Sequence, residues 1–341
     1  RNLMLRTPFV TKQENYYAQL SLPERRNYPE LAPLQGDGIV GSISAKWRVW
    51  RKYGAPRLIT QWLRQGVPLR WKSAPIRVGV EKMKQNRNTV TALEDQLKTG
   101  AFVKFPGAIT SPTFTLKKKD GNFRLIHDLR SINKHLEVPR FTLGGVKDAA
   151  RLVRRARWIA TLDMRHGYNQ VALDPGARRY LGAWLGDEIV SATVLPFGLA
   201  LSPYVFTRLT NWAAGLFRRK TGLDISVYLD DFIIGAQSRE ELEQGLGKVE
   251  KLCEELGIVL SQEKKSGPTQ RAEYLGFIWD SEKKTIEVDA ERRKKYRREV
   301  TNLLRHPQSK TVWRKTIGRL LFLRQAVGTT LRNTRSLIHM M

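Results

Sequence analysis

Asp230 and Asp231 are adjacent in the stretch ISVYLDDFIIGAQS, residues 225–238. Their neighbours Ile225, Val227, Tyr228, Leu229, Phe232, Ile233 and Ile234 favour burial in strands. An ionised carboxylate resists burial, because desolvation costs several kcal/mol or more unless something positive meets it. In TLDMRHGYNQ, Asp163 follows an apolar strand in the same way, 67 residues before Asp230. That separation lets the two strands lie side by side in one sheet. Three carboxylates gathered at one sheet end repel each other unless divalent cations join them. Mg²⁺ favours a few carboxylates together with water and phosphate oxygens. Two such ions stabilise the attacking and leaving oxygens of a phosphoryl transfer. Taken alone, an Asp-Asp pair in a hairpin is equally an ordinary solvated turn.

The charge balance points the same way. The chain has 341 residues, with 60 Lys and Arg against 32 Asp and Glu, a net charge of +28. A field of that size attracts polyanions, nucleic acid first among them. A ribosomal-type basic protein and an anionic membrane surface are the alternatives, but no apolar run reaches the length of a spanning helix. A hydrophobic fraction of 41% and nine tryptophans argue for a folded chain of two or three domains or subdomains. Cys253 is the only cysteine, which excludes a disulfide framework and a cysteine-based zinc site. It reads as an inert, part-buried filler in a helix, and an intracellular location is expected. The five histidines have no metal-ligand spacing. The first residue is not Met and no signal peptide is apparent, so a piece of a longer polypeptide is expected.

Residues 1–40 read as an irregular arm. Residues 41–70 read as two short basic amphipathic helices broken at Gly54–Pro56, and a helix over Thr89–Lys98 ends at Gly100. From 109 to 130 apolar alternation flanks Asp120–Gly121, a strong hairpin signal. WIATLDM is a short strand, and YLGAWLGDEIVSATVLPFG reads as another hairpin. Residues 202–220 are helical. A further helix begins in a capping box of Ser238 and Glu241 and stops at Gly257. RAEYLGFIWDSEKKTIEVD is a hairpin, and 291–341 is helical, with fourteen Lys and Arg against two Glu. Hairpins beside helices, without regular strand–helix alternation, give an α+β architecture.

With these elements in place, the chain resembles reverse transcriptases over about residues 100–280. SPTFTLKKKDGNFRLIHDLRSINK is similar to the fingers motif, TLDMRHGYNQV to the first palm motif and LPFGLALSPYVFTRL to the second. VYLDDFI is similar to the third, ELGIVLSQEKKS to the fourth and YLGFIWD to the primer-grip hairpin. Among subfamilies, VYLDDFIIGAQS, YLGFIWDSEKKTIEV and IGRLLFLRQAV most resemble retrotransposons of the DIRS type, which carry a tyrosine recombinase. Gypsy-type and pararetroviral enzymes come next.

The resemblance implies a right-hand polymerase fold of fingers, palm with an antiparallel sheet, and a partial helical thumb. Its expected divisions are an arm and basic helical extension (1–76), fingers (77–157), palm (158–280) with a fingers insertion near 175–195, and thumb-like helices (281–341). It implies Asp163 and Asp230 as ligands of two Mg²⁺ or Mn²⁺ ions, with Asp231 completing the triad. Lys118 and Arg124 would contact the dNTP triphosphate, while Lys117 and Lys119 read as solvated charges. Tyr168 would be the steric gate against a ribose 2′-OH. Phe197 would lie under the template base or dNTP, or in plain core. Gln170 either packs near the nucleotide or lies on a surface strand. Lys264 or Lys265, with Lys264 preferred, would be the general acid for pyrophosphate. Tyr274, Leu275 and Gly276 would hold the primer end. The implied activity is RNA-directed DNA polymerisation with RNA template, DNA primer and dNTPs as partners. RNase H and other polyprotein domains would be supplied elsewhere. The basic C-terminal region and the 41–70 helices are expected to grip template–primer. A catalytically silent RNA-binding scaffold is the alternative, and an RNA-templated RNA polymerase is disfavoured by Tyr168.

Overall fold

The computed structural model describes residues 38–75, 79–82, 84–118, 121–306 and 309–327. The arm expected over most of 1–40, Lys119 and Asp120 of the first hairpin turn, and the last part of the basic C-terminal region lie outside these residues.

Helices α1 (Ser42–Ala45), α2 (Trp47–Lys52) and α3 (Arg57–Gln65) come first, with Pro56 as the N-cap of α3. Helix α4 (Arg87–Lys98) begins before the expected Thr89 because the Asn86 side chain caps it, accepting from the Thr89 N–H at 2.8 Å. Strand β1 (Phe102–Lys104) precedes the expected hairpin of β2 (Thr113–Lys117) and β3 (Phe123–His127). Two helices not visible in the apolar pattern follow, α5 (Arg130–Asn133) and α6 (Val146–Arg155). The Asp148 carboxylate closes the start of α6 by accepting from the Gly145 N–H at 3.1 Å.

Strand β4 (Trp158–Asp163) leads into the hairpin β5 (Gly182–Leu185) and β6 (Glu188–Ala192). Helix α7 (Leu201–Thr221) is followed by β7 (Asp224–Tyr228), β8 (Asp231–Ala236) and helix α8 (Arg239–Leu256). The α8 capping box is half formed. Ser238 accepts from the Glu241 N–H at 3.0 Å, but the Glu241 carboxylate reaches Gln237 N–H instead of Ser238. Strand β9 (Ser266–Thr269) precedes β10 (Arg271–Tyr274), β11 (Phe277–Asp280) and β12 (Thr285–Glu287). These last three form a meander, where the sequence suggested a single hairpin. The Asp280 carboxylate accepts from the N–H groups of Glu282 and Lys283 and so makes the second turn. Helices α9 (Ala290–Arg305) and α10 (Lys310–Val327) end the described chain.

The central sheet has the order β7-β8-β4-β9, and β5–β6 joins β1 in a separate sheet, order β1-β6-β5. Pleating sends alternate residues of the central sheet to opposite faces. Ala160, Leu162, Phe232 and Ile234 enter one buried cluster with α7 and α8. Ile159 and Ile233 enter a second cluster with α6 and the β10–β12 meander. By the same alternation, Asp163 and Asp231 belong to the second face.

The N-terminal helices form a third layer behind α7 and α8. Trp47, Trp50, Ile59, Trp62 and Leu63 belong to the first cluster. Trp50 is fully buried and donates its indole N–H to the Leu256 carbonyl at 2.8 Å. The basic amphipathic reading of these helices holds, but their apolar faces are part of the main core. Cys253 is also fully buried, not part-buried, within α8. Burial pushes its thiol pKa upward, leaving an inert core atom.

Candidate active site

The site begins with strand register. Strands β4 and β8 pair antiparallel through Trp158↔Ala236 to Asp163↔Asp231, so these two aspartates are cross-strand partners. Asp230 occupies the two-residue turn between β7 and β8, where Tyr228 faces Asp231. The ladder continues past Asp163, because the Met164 N–H donates to the Asp230 carbonyl at 3.0 Å. The Ser261 N–H holds the Asp163 carbonyl at 2.8 Å from the other side. The turn carries conformational strain. Leu229 has φ +53°, a left-handed conformation that a bulky residue avoids unless its surroundings enforce it.

The three expected acids are therefore brought together at one end of the sheet. Their electrostatics carry the cost of that placement. Burial raises the Asp230 pKa, and the Asp163 charge adds to the effect. Burial and the neighbouring Asp230 push Asp231 up to about 7, with a hydrogen bond to Asp163 contributing. The Lys264 ammonium partly offsets this by donating to Asp163 Oδ1 at 2.8 Å. For Lys264 itself, burial pulls the pKa down, but the Asp163 bond and the carboxylate charges outweigh it.

An all-carboxylate donor set suits a hard divalent cation. Among the described residues no group of three or more His, Cys, Asp or Glu side chains already encloses one point as a metal would require. The donor chemistry fits a divalent ion, for which Lys264 now supplies the positive charge on Asp163.

A second group of expected residues meets beside Asp230. The Tyr168 ring lies 4.9 Å from that of Phe197 and 5.2 Å, edge-on, from that of Phe206. The Arg124 guanidinium sits 4.8 Å over the Phe197 ring. Burial raises the Tyr168 hydroxyl pKa, with Asp230 charge adding to it. Tyr168, Phe197 and Arg124 thus form one contiguous group near Asp230. Lys118 extends the β2–β3 ladder, its N–H donating to the Asn122 carbonyl at 2.7 Å. Leu116 faces Arg124 across that ladder, so the two-residue period puts Lys118 on the Arg124 face.

Other expectations need correction. Gln170 is fully buried, not on a surface strand, and lies in a 3₁₀ turn over Gly167–Gln170. Its amide donates to the Arg165 and Val259 carbonyls at 2.7 and 2.9 Å and accepts from the Val259 N–H at 3.0 Å. With both amide ends engaged by backbone, it ties the Asp163 loop to the segment after α8. Tyr274 is also buried, and its hydroxyl donates to the Asp231 carbonyl at 3.1 Å. It braces the Leu229–Asp230 turn, leaving Leu275 and Gly276 at the hairpin tip with φ +50° and +76°. The close approach allowed by Gly276 is made by Arg292 of α9, which donates to the Gly276 carbonyl. Lys265 pairs with Glu250 and is not beside Asp163, leaving Lys264 as the lysine at the site.

The residues that hold Phe197 were missed in the sequence. The His127 N–H donates to the Phe197 carbonyl at 3.0 Å. A Cβ on Gly198 would lie 1.8 Å from the His127 carbonyl oxygen, so only glycine fits against β3. Asn133 clamps the far side, donating to the Gly198 carbonyl at 2.8 Å and accepting from the Ala200 N–H at 2.9 Å. A lone asparagine in DLRSINK carries no periodic signal that could mark it as a clamp. Burial holds the His127 imidazole down at about 4, so it stays neutral near pH 7.

Three carboxylates at a sheet end beside aromatic and basic side chains suit divalent-metal phosphoryl transfer. Residues 116–279 match the family described as "Reverse transcriptase (RNA-dependent DNA polymerase)". The chain is similar to "Polyprotein P3" of Commelina yellow mottle virus, 27% identical over 183 residues, covering 54% of this chain and 9% of that protein. It is 31% identical over 170 residues to the "Retrovirus-related Pol polyprotein from transposon 412" of Drosophila melanogaster, covering 49% of this chain and 13% of that protein. The fold matches that of a foamy viral protease-reverse transcriptase solved with double-stranded DNA. The TM-score is 0.63 at 17% identity, over 86% of this chain and 54% of that one. This chain thus spans a minor part of those polyproteins, 9% and 13% of their lengths.

Two outcomes follow from the geometry. Asn133→Ala is expected to raise the KM for nucleotide more than it lowers kcat. The size is on the order of thirtyfold, from two lost hydrogen bonds worth about 1 kcal/mol each. An unchanged KM in steady-state kinetics would contradict the clamp. The second concerns pH. Asp231 has a higher pKa folded than its ordinary 3.8, so its protonated form stabilises the metal-free chain at low pH. That contribution is lost as pH rises through about 7. His127, with its lowered pKa, acts in the opposite sense over part of this range. The Asp231 effect is therefore read as a difference. In chelator, Asp231→Asn should gain melting temperature relative to wild type between about pH 5 and pH 8. A constant difference across that range would show that Asp231 holds no extra proton.

Proposed function

We propose that the chain extends a primer 3′-OH with dNTPs on an RNA template. The observation that carries this reading is the register Asp163↔Asp231, which sets both beside Asp230 and the Tyr168–Phe197–Arg124 group. Asp163 and Asp230 would hold two Mg²⁺ or Mn²⁺ ions, with Asp231 adding charge to the same site. Such ions, when bound, lower the pKa of a coordinated hydroxyl and stabilise charge on phosphate oxygens. The reaction joins the primer oxygen to the α-phosphorus and breaks that phosphorus's bond to pyrophosphate.

The protein's own groups orient and neutralise. Arg124 and Lys118, on one face of the β2–β3 ladder, meet the triphosphate. Lys264 leaves Asp163 and gives its proton to the departing pyrophosphate. Tyr168, packed between Phe197 and Phe206, cannot yield to a ribose 2′-OH, which selects dNTPs. Leu275 and Gly276, docked on α9 by Arg292, seat the primer end. In this reading the β2–β3 hairpin and the β1-β6-β5 sheet are fingers, the central sheet with α6–α8 is palm, and α9–α10 begin the thumb. The RNA and DNA partners are sequence-neutral backbone contacts, and their binding is salt-sensitive. Other polyprotein functions, RNase H among them, would come from segments outside this chain. No helix among the described residues is long and apolar enough to cross a membrane.

Primer extension on an RNA template tests the proposal. Wild-type chain should incorporate dNTPs with Mg²⁺ or Mn²⁺ and prefer them to rNTPs. Asp230→Asn should lose at least about a thousandfold in kcat, in line with removal of a charge-stabilising group from a polar active site. Equal extension by that variant, or preference for rNTPs, would refute it. The finer assignment to a DIRS-type element is supported by VYLDDFIIGAQS and IGRLLFLRQAV. Sequencing the parent element should reveal a tyrosine recombinase, and a retroviral-type integrase in its place would reject that assignment.

A further inference from the structure

The N-terminal helices carry a surface that the catalytic reading does not use. Residues 38–75 contain eight Lys and Arg and no Asp or Glu. Burial of Trp47, Trp50, Ile59, Trp62 and Leu63 turns the cations of α2 and α3 outward, and Arg48, Arg51, Lys52 and Arg64 are all exposed. Arg48, Arg51 and Lys52 share one helix face by their three- and four-residue spacing. Like charges are also gathered, not dispersed. The guanidiniums of Arg48 and Arg64 lie 4.7 and 5.1 Å from the same Trp47 ring. The Lys220 ammonium lies 5.8 Å over Tyr53, which carries the stripe onto the exposed end of α7. Glu255, the acidic neighbour at this point, is bonded by the Tyr53 hydroxyl.

The position of this stripe separates it from the catalytic cleft. Trp50 stacks on Trp212 and Trp62 meets Tyr204, so α2 and α3 rest on α7. Helices α7 and α8 pack on the sheet face opposite that of Asp163 and Asp231. Lys220 and Asp224 lie at the far end of β7 from Asp230, about 20 Å away at the usual strand rise. On this packing α2 lies beyond α7 and α8, on the side of the sheet away from the carboxylates. The grip expected of these helices on template–primer would then be made away from the carboxylates.

We propose that the α2–α3 face, continued by Lys220, is a second nucleic-acid site that binds the phosphate backbone of single-stranded template outside the cleft. Arginines and lysines spaced along one face match a single strand's repeating phosphates. The site extends the polymerase reading but does not depend on it, since binding can be measured without dNTP or divalent metal.

The test compares Arg51→Gln/Lys52→Gln/Lys220→Gln with wild type in fluorescence anisotropy. One probe is a short blunt duplex. Others carry a 5′ overhang of about 25 nucleotides, RNA or DNA, longer than the roughly 4–16 that one single-strand-binding module covers. Affinity for the overhang probes should fall on the order of tenfold, and the salt dependence of log K should become shallower by about 2. The blunt duplex should change less than about twofold, as phosphates held elsewhere require. Equal losses on both overhangs assign the phosphate backbone, and a loss confined to RNA assigns RNA. In wild type, overhang RNA should also protect Lys52 and Lys220 from acylation, which needs no variant to fold. Unprotected lysines, equal loss on the blunt duplex, or loss seen only with phosphatidylserine vesicles would overturn the proposal.

Discussion

The pairing of β4 with β8 is the constraint on which the site depends. Its register makes Asp163 and Asp231 direct neighbours and leaves Asp230 in the adjoining turn. A slip of one residue would send Asp163 to the other face of the sheet and scatter the triad. The apolar residues of both strands prevent that slip, because Ile159 and Ile233 fill one cluster while Ala160, Leu162, Phe232 and Ile234 fill the other. Burial of these side chains holds three like charges together, an arrangement their own electrostatics oppose.

That opposition explains much of what surrounds the site. Asp231 is raised toward neutrality, Lys264 leans on Asp163, and Leu229 adopts a left-handed backbone. None of these would persist on a loose turn. Tyr274 anchors the Asp231 carbonyl, and Gln170 fastens the Asp163 loop to the strand-like segment after α8. The N-terminal helices support that loop from behind. The Gly41 N–H donates to the Asn169 carbonyl at 2.8 Å, and Ser44 Oγ accepts from the Ala172 N–H at 2.9 Å. The reverse transcriptase match starts at residue 116, yet the core that steadies its acids starts near residue 40.

What could be read from the residues was what leaves a periodic or compositional trace. Alternating apolar residues around LDD and TLD revealed both catalytic strands and their shared sheet. The 202–220 and 239–256 helices were equally plain in their apolar faces. Side-chain-to-backbone bonds leave no such trace. The backbone bonds of Gln170 and Tyr274 are therefore invisible in the sequence. Asn133 was overlooked for the same reason, and α6 was hidden because its start depends on Asp148 capping Gly145. The three tryptophans of α2 and α3 signalled burial, but not against which surface.

The central claim is that these three acids together hold divalent cations where a primer and nucleotide meet. The most direct measurement is an anomalous-difference map from crystals of the chain with template–primer, an unreactive dNTP analogue and Mn²⁺. Manganese peaks beside Asp163 and Asp230 are expected, with Lys264 displaced from Asp163. Nucleotide bound beside Tyr168 and Arg124 with no manganese on those carboxylates would contradict that claim.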